Sequence, residues 1–184
     1  MGGCLTSTIL HFNLLRELGN SDTRLLVEGR PVYVPGDHAF TFDPMTNPNV
    51  LEAVGDAGTT SLALDTLQLE VSLRTRRCLW LWGYSPRTRW LSGKIQAPSA
   101  EDGAVEVVGA QLAPGISIRV PGAPFREVFD DATGWFGAFA STKTEGSPVR
   151  IASDTILFVA DGILSALLVR PANWREISKL RAHA

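Results

Sequence analysis

Residues 65–98 of the chain read DTLQLEVSLRTRRCLWLWGYSPRTRWLSGKIQAP. The first part of this segment alternates strictly between apolar and polar side chains. The apolar members are Leu67, Leu69, Val71 and Leu73. A period of two residues places the apolar side chains on one face of a β-strand and the polar ones on the other. The segment therefore predicts a strand with one buried face.

A second strand is expected after the charged link at residues 74–78. If that link is a hairpin loop that pairs Leu73 with Leu79, three aromatic side chains lie opposite polar ones on the other face. The predicted pairs are Trp80 with Ser72, Trp82 with Glu70, and Tyr84 with Gln68. A turn at residues 85–87 would then return residues 88–95 as a third antiparallel strand, with Arg89 near the aromatic face.

The N-terminal segment is expected to be helical. Leu10, Leu14 and Leu18 recur at helical spacing within residues 8–18, Thr6 or Ser7 can cap the helix, and Gly19 can end it. A helix of three turns is marginally stable alone, so its leucine stripe must dock on another surface. We expect residues 1–22 to form a lid over the mouth of a barrel.

The middle of the chain carries weaker patterns. Residues 24–34 predict a hairpin or a bent edge strand, because Pro31 cannot donate a hydrogen bond in a central ladder. Residues 35–60 are rich in Pro, Gly, Asp and Asn and predict a long loop with one helical turn at residues 49–54. Further strands are predicted at residues 104–111, 116–120 and 125–128.

The end of the chain gives the strongest local prediction. Residues 151–160 and 163–169 are apolar runs joined by Asp161-Gly162, the dipeptide that supplies the positive φ values of a type I′ turn. Asn173 is expected to cap a short final helix at residues 174–181.

These elements indicate an all-β protein with a helix at each end. The pattern predicts about eight to ten strands at short intervals without βαβ spacing, which favours an antiparallel barrel or sandwich. We favour the barrel, because closure hides the edges of long strands. The expectation is a single antiparallel β-barrel domain over residues 1–184.

Composition excludes several classes of protein. The chain has 184 residues, with 45% hydrophobic and 20% charged residues, as in a soluble globular domain. A formal charge of -2 offers no general attraction for nucleic acid. Cys4 and Cys78 suit reduced thiols in a cytoplasmic protein. No apolar run reaches about eighteen residues and no signal peptide is recognisable, so no membrane partner is expected.

The N-terminus carries one further short pattern. Residues 1–6, MGGCLT, fit a myristoylation signal with Cys4 available for a second acyl chain, and the alternative is a frayed start or a cloning remnant.

Motifs for common chemistry are missing from the sequence. It contains no phosphate-binding glycine loop and no GxSxG elbow. His11, His38 and His183 lack the spacing of metal ligands. We therefore expect neither a cofactor nor a metal.

The aromatic face is the predicted ligand site. Three large aromatics facing solvent would form an exposed apolar patch, so they are expected to line a cavity, a docked lid or a subunit interface. The candidate catalytic residues are Glu70, Gln68 and Tyr84. The candidate substrate-binding residues are Trp80, Trp82, Tyr84, Gln68, Glu70, Leu10 and Leu14. Arg119 and Asp154 are further polar residues on otherwise apolar strands. For each of these two, as for Gln68 and Glu70, facing water is the simpler explanation.

Residues 130–140, DDATGWFGAFA, carry a family resemblance. The segment resembles the G-T-G-x-[FY]-x-G-A-x-G hairpin element of allene-oxide-cyclase-like and dirigent-like β-barrels, and the A-T-G-x-x-G stretch of the barrel cyclases that form spirotetronate and spirotetramate rings. Ala132 and Ala140 stand where that pattern has its first and last glycines. The resemblance implies an antiparallel barrel whose hydrophobic lumen folds a flexible substrate for intramolecular ring closure.

Two functions follow as hypotheses. The first is a cofactor-independent cyclase that closes a ring in a polyketide-derived natural product, by a Diels–Alder-type reaction or a conjugate addition, because a shaped cavity holds its hydrophobic substrate in a reactive conformer. Gln68, Tyr84 or a tryptophan indole N–H could activate a substrate carbonyl by hydrogen bonding. The alternative is a non-catalytic module that binds a small molecule or a protein. A homodimer is compatible with either function.

Overall fold

The structure is a computed structural model that describes residues 10–16, 26–44, 48–121, 124–142 and 144–181. In chain order, the elements within these residues are β1 (His11–Arg16), β2 (Arg30–Val34), β3 (Ala39–Asp43), α1 (Pro48–Val54), β4 (Thr59–Leu64), β5 (Leu67–Ser72), β6 (Cys78–Tyr84), β7 (Leu91–Ser92), β8 (Glu101–Val108), β9 (Ile118–Arg119), β10 (Arg126–Phe129), β11 (Phe136–Phe139), β12 (Ser147–Ala152), β13 (Thr155–Ala160), β14 (Ile163–Val169) and α2 (Trp174–Arg181).

The strands form two sheets that face each other across one core. The eight-stranded sheet has the order β1-β8-β12-β13-β14-β11-β10-β7, and the six-stranded sheet has the order β2-β3-β6-β5-β4-β9. Fully buried side chains from both sheets belong to one apolar cluster. The largest of them include Tyr33, Phe40, Leu69 and Leu81 from the six-stranded sheet and Phe129, Phe136, Ile151 and Leu157 from the eight-stranded sheet. The all-β prediction is confirmed, and the arrangement is a sandwich.

The closed barrel expected from the sequence is not what the described strands form. Three of the four edge strands in the two sheets carry features that protect an edge without closure. The edge strands β7 and β9 are each two residues long, and the edge strand β2 carries Pro31. Short strands and proline limit edge-to-edge pairing without closure of the sheet.

The predicted hairpin of β5 and β6 is confirmed, with a shift of two residues in its register. Leu69 lies opposite Leu81 and Gln68 opposite Trp82, where the sequence had placed Tyr84. The ladder is irregular between Leu69 and Val71, and Val71 pairs with Cys78. An even shift keeps every side chain on its face, so the predicted buried face is retained.

The predicted third strand at residues 88–95 is wrong. Residues Arg87–Arg89 form a 3-10 turn, and β7 then runs parallel to β10 in the other sheet. Trp90 explains why the chain passes from one sheet to the other at this point, because its ring is buried between the sheets. The ring centroid of Trp90 lies 4.8 Å from that of Tyr33 and 5.1 Å from that of Phe136. Burial of so large a side chain outweighs the local turn signal.

The predicted N-terminal lid helix is also wrong where the structure describes it. β1 pairs antiparallel with β8, and Leu10 and Phe12 are buried whereas His11 and Asn13 are exposed. A leucine spacing of four residues fits both a helix and a strand. Phe12, midway between two of the leucines, completes the period of a strand. Leu18, the capping residues and the MGGCLT pattern lie outside the described residues.

The long loop predicted at residues 35–60 contains regular structure. Within β3, apolar Phe40 and Phe42 alternate with polar Thr41 and Asp43, and the strand pairs with both β2 and β6. The helical turn predicted within this segment is confirmed as α1.

The closing hairpin of β13 and β14 is confirmed, with φ values of 51° at Asp161 and 75° at Gly162. The predicted strand at residues 151–160 is divided, however, because Asp154 lies in a turn between β12 and β13 with a φ of 49°. Asp154 is therefore not a strand residue. A side-chain oxygen with a short reach favours this backbone conformation.

The final helix is confirmed as α2, but Asn173 does not cap it with its side chain. The Oδ1 atom of Asn173 accepts a hydrogen bond from the Tyr33 backbone N–H at 3.1 Å, and its Nδ2 atom donates to the Tyr33 carbonyl oxygen at 2.7 Å. The amide thus occupies the open edge of β2 and fastens the start of α2 to the six-stranded sheet. Among the described helices, none combines the length and hydropathy needed to cross a membrane.

Candidate ligand-binding site

The outward face of the six-stranded sheet carries a groove of about 340 Å³. It is called the Trp82 groove below, and its lining residues are Thr59, Thr60, Ser61, Gln68, Glu70, Trp82, Gly115 and Ser117. Strands β4, β5 and β6 supply the floor, and the loop before β9 supplies one wall. Gln68 and Glu70 alternate with buried Leu67 and Leu69, so strand periodicity turns them away from the core and into the groove.

A hydrogen bond fixes the indole of Trp82 in this groove. Trp82 Nε1 donates to Glu70 Oε2 at 2.7 Å, and Ser61 Oγ donates to the same oxygen at 3.1 Å. Trp82 is nevertheless 37% exposed. The site therefore presents an aromatic surface whose orientation is set before any ligand arrives. Within the described residues, Glu70 Oε1 accepts no hydrogen bond and is available to a ligand.

The wall formed by residues 115–117 is held to the sheet by two side chains. Thr60 Oγ1 donates to the Ile116 carbonyl oxygen at 2.6 Å, and Ser117 Oγ donates to Gln68 Oε1 at 3.2 Å. The second bond uses the carbonyl end of the Gln68 amide, so the NH₂ end of that side chain remains a donor for a ligand.

The lining of the groove is rich in hydrogen-bonding groups and poor in charge. It combines four hydroxyl groups, one amide and one carboxylate, that of Glu70. This composition favours a neutral polar ligand over an anion. Among the described residues, no three His, Cys, Asp or Glu side chains are close enough to hold a metal ion.

Of the three predicted aromatic site residues, the structure places one in the groove. Trp80 is half-buried and stacks on Phe42, with ring centroids 5.2 Å apart and an interplanar angle of 7°. Tyr84 is exposed and makes an edge contact with His38, with centroids 6.2 Å apart. Neither residue lines the Trp82 groove.

The remaining predicted site residues lie elsewhere. Leu10 and Leu14 pack against the core at β1, so they do not form part of a lid. Arg119 lies on edge strand β9, where its Nη2 atom is 3.6 Å from Asp65 Oδ1. Gln68 and Glu70 are therefore the polar candidates that the structure brings together with Trp82.

A buried polar network that the sequence patterns did not reveal lies at the junction of the two sheets. Ser85 Oγ donates to Glu127 Oε2 at 2.9 Å and accepts from Trp90 Nε1 at 2.7 Å. The Tyr33 hydroxyl donates to the Ser85 carbonyl oxygen at 3.0 Å, and Arg89 Nη2 lies 3.4 Å from Glu127 Oε1. The available signal was Glu127, which stands next to Arg126 in a segment otherwise made of Phe and Val.

Burial controls the protonation of this network. It raises the pKa of Glu127 above its ordinary value, although the hydrogen bond from Ser85 and the charge of Arg89 act in the opposite direction. Burial also raises the pKa of Tyr33 to about 12. Because Ser85 is fully buried, a ligand cannot reach its hydroxyl. We therefore assign this network to joining β6 with β10.

The segment at residues 130–140 forms the turn and second strand of the β10–β11 hairpin. Asp130 Oδ1 accepts hydrogen bonds from the backbone N–H groups of Ala132 and Thr133, at 2.9 and 3.4 Å, and Asp130 Oδ2 accepts from Ile95 N–H at 2.9 Å. Burial alone would raise the pKa of Asp130, but these hydrogen bonds lower it below its ordinary value. Hairpins occur in many folds, so the cyclase resemblance stays a prediction.

The fold and the site together define an all-β sandwich with a polar groove on one outer face. Comparisons of the chain with protein-family models, curated proteins and solved structures give no significant match.

Proposed function

We propose that the protein is a non-catalytic binding module that takes a polyhydroxylated ring, such as one sugar unit of a glycan, in the Trp82 groove. The observation that carries the proposal is the exposed indole of Trp82, held by Glu70 in a groove otherwise lined by hydroxyl and amide groups.

The indole supplies the apolar part of such an interaction. A sugar ring presents C–H groups on one face, and stacking that face on an indole removes apolar surface from water. Burial of a large aromatic surface contributes about 1 to 3 kcal/mol. Since the bond to Glu70 already fixes the Trp82 side chain, binding loses little rotamer entropy.

The polar lining supplies the orientation of the ligand. Each sugar hydroxyl can donate and accept a hydrogen bond. The carboxylate of Glu70 accepts, the NH₂ group of Gln68 donates, and the hydroxyl of Thr59 can do either. A few polar groups beside an apolar surface are typical of sites that recognise a small ligand.

The cyclase hypothesis stays a prediction, and the geometry supports it less well. It required Gln68, Glu70 and Tyr84 around a hydrophobic substrate in an enclosed lumen. Gln68 and Glu70 lie instead in an open polar groove, Tyr84 lies outside its lining, and large buried side chains fill the space between the sheets.

The test is a screen of a glycan panel against the purified protein, followed by calorimetric titration of variants with any glycan that binds. Trp82→Ala should weaken binding at least tenfold, because it removes the stacking surface. Glu70→Gln should weaken binding severalfold, because it replaces a charged acceptor with a neutral one.

Tyr84→Ala is the matched control, since Tyr84 is an exposed aromatic on the same strand but outside the groove. The proposal predicts that this variant keeps wild-type affinity. Equal losses in Trp82→Ala and Tyr84→Ala, or a panel without a ligand, would refute it. Ring closure of a linear polyketide-type substrate by the protein would support the cyclase hypothesis instead.

A further inference from the structure

The outward face of the eight-stranded sheet carries a second apolar cluster that is separate from the core. Its buried members are Ile95, Val128, Phe139, Ile156, Phe158, Ala166 and Leu168. The segment at residues 93–100, called the strap, crosses this face without regular secondary structure and contributes Ile95, Ala97 and Ala100 to the packing.

The start of the strap is fixed to the sheet. Ile95 N–H donates to Asp130 Oδ2 at 2.9 Å, and Gly93 N–H donates to the Phe129 carbonyl oxygen at 3.3 Å. Ile95 itself is 7% exposed. The strap is therefore held in a fixed position on the sheet, and the space beneath it has defined walls.

A cavity of about 200 Å³ lies between the strap and the sheet. Phe139, Phe158 and Leu168 form its apolar floor, and residues of the strap form the opposite wall. An apolar cavity of about 150 Å³ in a protein is large enough to bind benzene. The space under the strap therefore suits one aromatic ring with a short substituent.

The polar groups around the cavity favour an anion. Lys94, Gln96 and Thr144 line it together with the apolar residues, and each of their side chains carries a hydrogen-bond donor. The guanidinium carbon of Arg126 lies 5.6 Å from the ring centroid of Phe139, which adds a second cation near the floor. Within the residues that the structure describes, Lys94 forms no salt bridge.

We infer that the strap cavity is a second binding site, for a small carboxylate that carries an aromatic ring or a short apolar chain. The ring or chain contacts Phe139, Phe158 and Leu168, and the carboxylate lies beside Lys94. This site is on the opposite side of the molecule from the Trp82 groove, so the inference does not depend on the glycan proposal.

The probe for this site is 3-(4-fluorophenyl)propionate, titrated into the full chain and followed by ¹⁹F NMR, with 3-(4-fluorophenyl)propanol as its neutral counterpart. The wild-type protein should give saturable binding of the carboxylate. Lys94→Met should weaken that binding about two- to fivefold, as expected for loss of one exposed ion pair. The same change should leave binding of the neutral alcohol unaltered.

Two further variants locate the site. Lys179→Met removes an exposed lysine on α2 and should have no effect on either probe. Thr144→Trp places a large side chain in the cavity from its exposed rim and should abolish binding, with circular dichroism confirming that the variant is folded. Absence of saturable binding to the wild type, equal binding to wild type and Lys94→Met, or full binding to folded Thr144→Trp would overturn the inference.

Discussion

The two outward faces of the sandwich differ in what covers them. On the six-stranded sheet, the Trp82 groove is open, and polar side chains make up most of its lining. On the eight-stranded sheet, the outward side chains around Phe139, Phe158 and Leu168 are apolar, and the strap covers them. A polar sheet face can meet water directly, whereas an apolar one must be buried against another segment.

This difference indicates that the two faces have different roles. The covered face should contribute strongly to the free energy of unfolding, because it buries apolar surface. The open face should contribute little to stability and should act in recognition. Variants on each face test this division between stability and recognition.

The largest effect is expected from Ile95→Asp. The substitution places a carboxylate in an apolar cluster and next to the carboxylate of Asp130, so it should lower the free energy of unfolding by about 3 kcal/mol or more. Ile116→Asp is the matched control, because Ile116 is 60% exposed at the rim of the open face. Its cost should stay within about 0.5 kcal/mol. Similar urea denaturation curves for the two variants would contradict the comparison.

A smaller effect is expected from Asp130→Asn, which weakens the anchor of the strap. Loss of charge-assisted hydrogen bonds should cost about 1 to 2 kcal/mol at pH 7. Since the pKa of Asp130 is lowered in the folded state, its contribution is present above the unfolded pKa of about 3.9 and is lost as pH falls through the folded pKa.

Urea denaturation of wild type and Asp130→Asn at several pH values measures this difference. The two stabilities should converge on acidification. A gap that persists unchanged at pH values below the folded pKa would show that the carboxylate charge is not what anchors the strap.

The smallest effect is expected from Glu127→Gln at the junction between the sheets, and its pH dependence has the opposite sign. The pKa of Glu127 is raised in the folded state. Its contribution to stability is therefore present below the unfolded pKa of about 4.3 and is lost as pH rises through the folded value. As pH rises through that range, the free energy of unfolding of the wild type should fall by at most about 1 kcal/mol relative to that of Glu127→Gln. Parallel stability curves for the two proteins would refute the effect of burial on Glu127.

Local sequence signals were sufficient to predict the elements whose structure depends on residues close together in the chain. Alternation predicted the buried face of β5, and Asp161-Gly162 predicted the turn of the last hairpin, because both depend on neighbouring residues. The N-terminal strand was missed because Leu10 and Leu14 fit two periods equally well. The choice between them is made by β8, which is remote in sequence.

The candidate site was predicted only in part for a similar reason. Gln68, Glu70 and Trp82 lie on paired strands, and their common face followed from the pattern. The wall of the groove could not be predicted, since Ser117 is 49 residues from the Gln68 side chain that it contacts. Trp80 was misplaced because its stacking partner Phe42 lies in a segment interpreted as a loop.

The most direct test of the glycan site is a ¹⁵N–¹H NMR titration that follows the indole N–H resonances of the five tryptophans. Trp82→Phe assigns the resonance of Trp82. With a saturating glycan, the Trp82 resonance should shift because its Nε1–H lies at the groove and is bonded to Glu70, while those of Trp80 and Trp90 should stay in place. A glycan that binds without moving the Trp82 resonance, or that moves the Trp90 resonance instead, would contradict the assignment of the ligand to the groove.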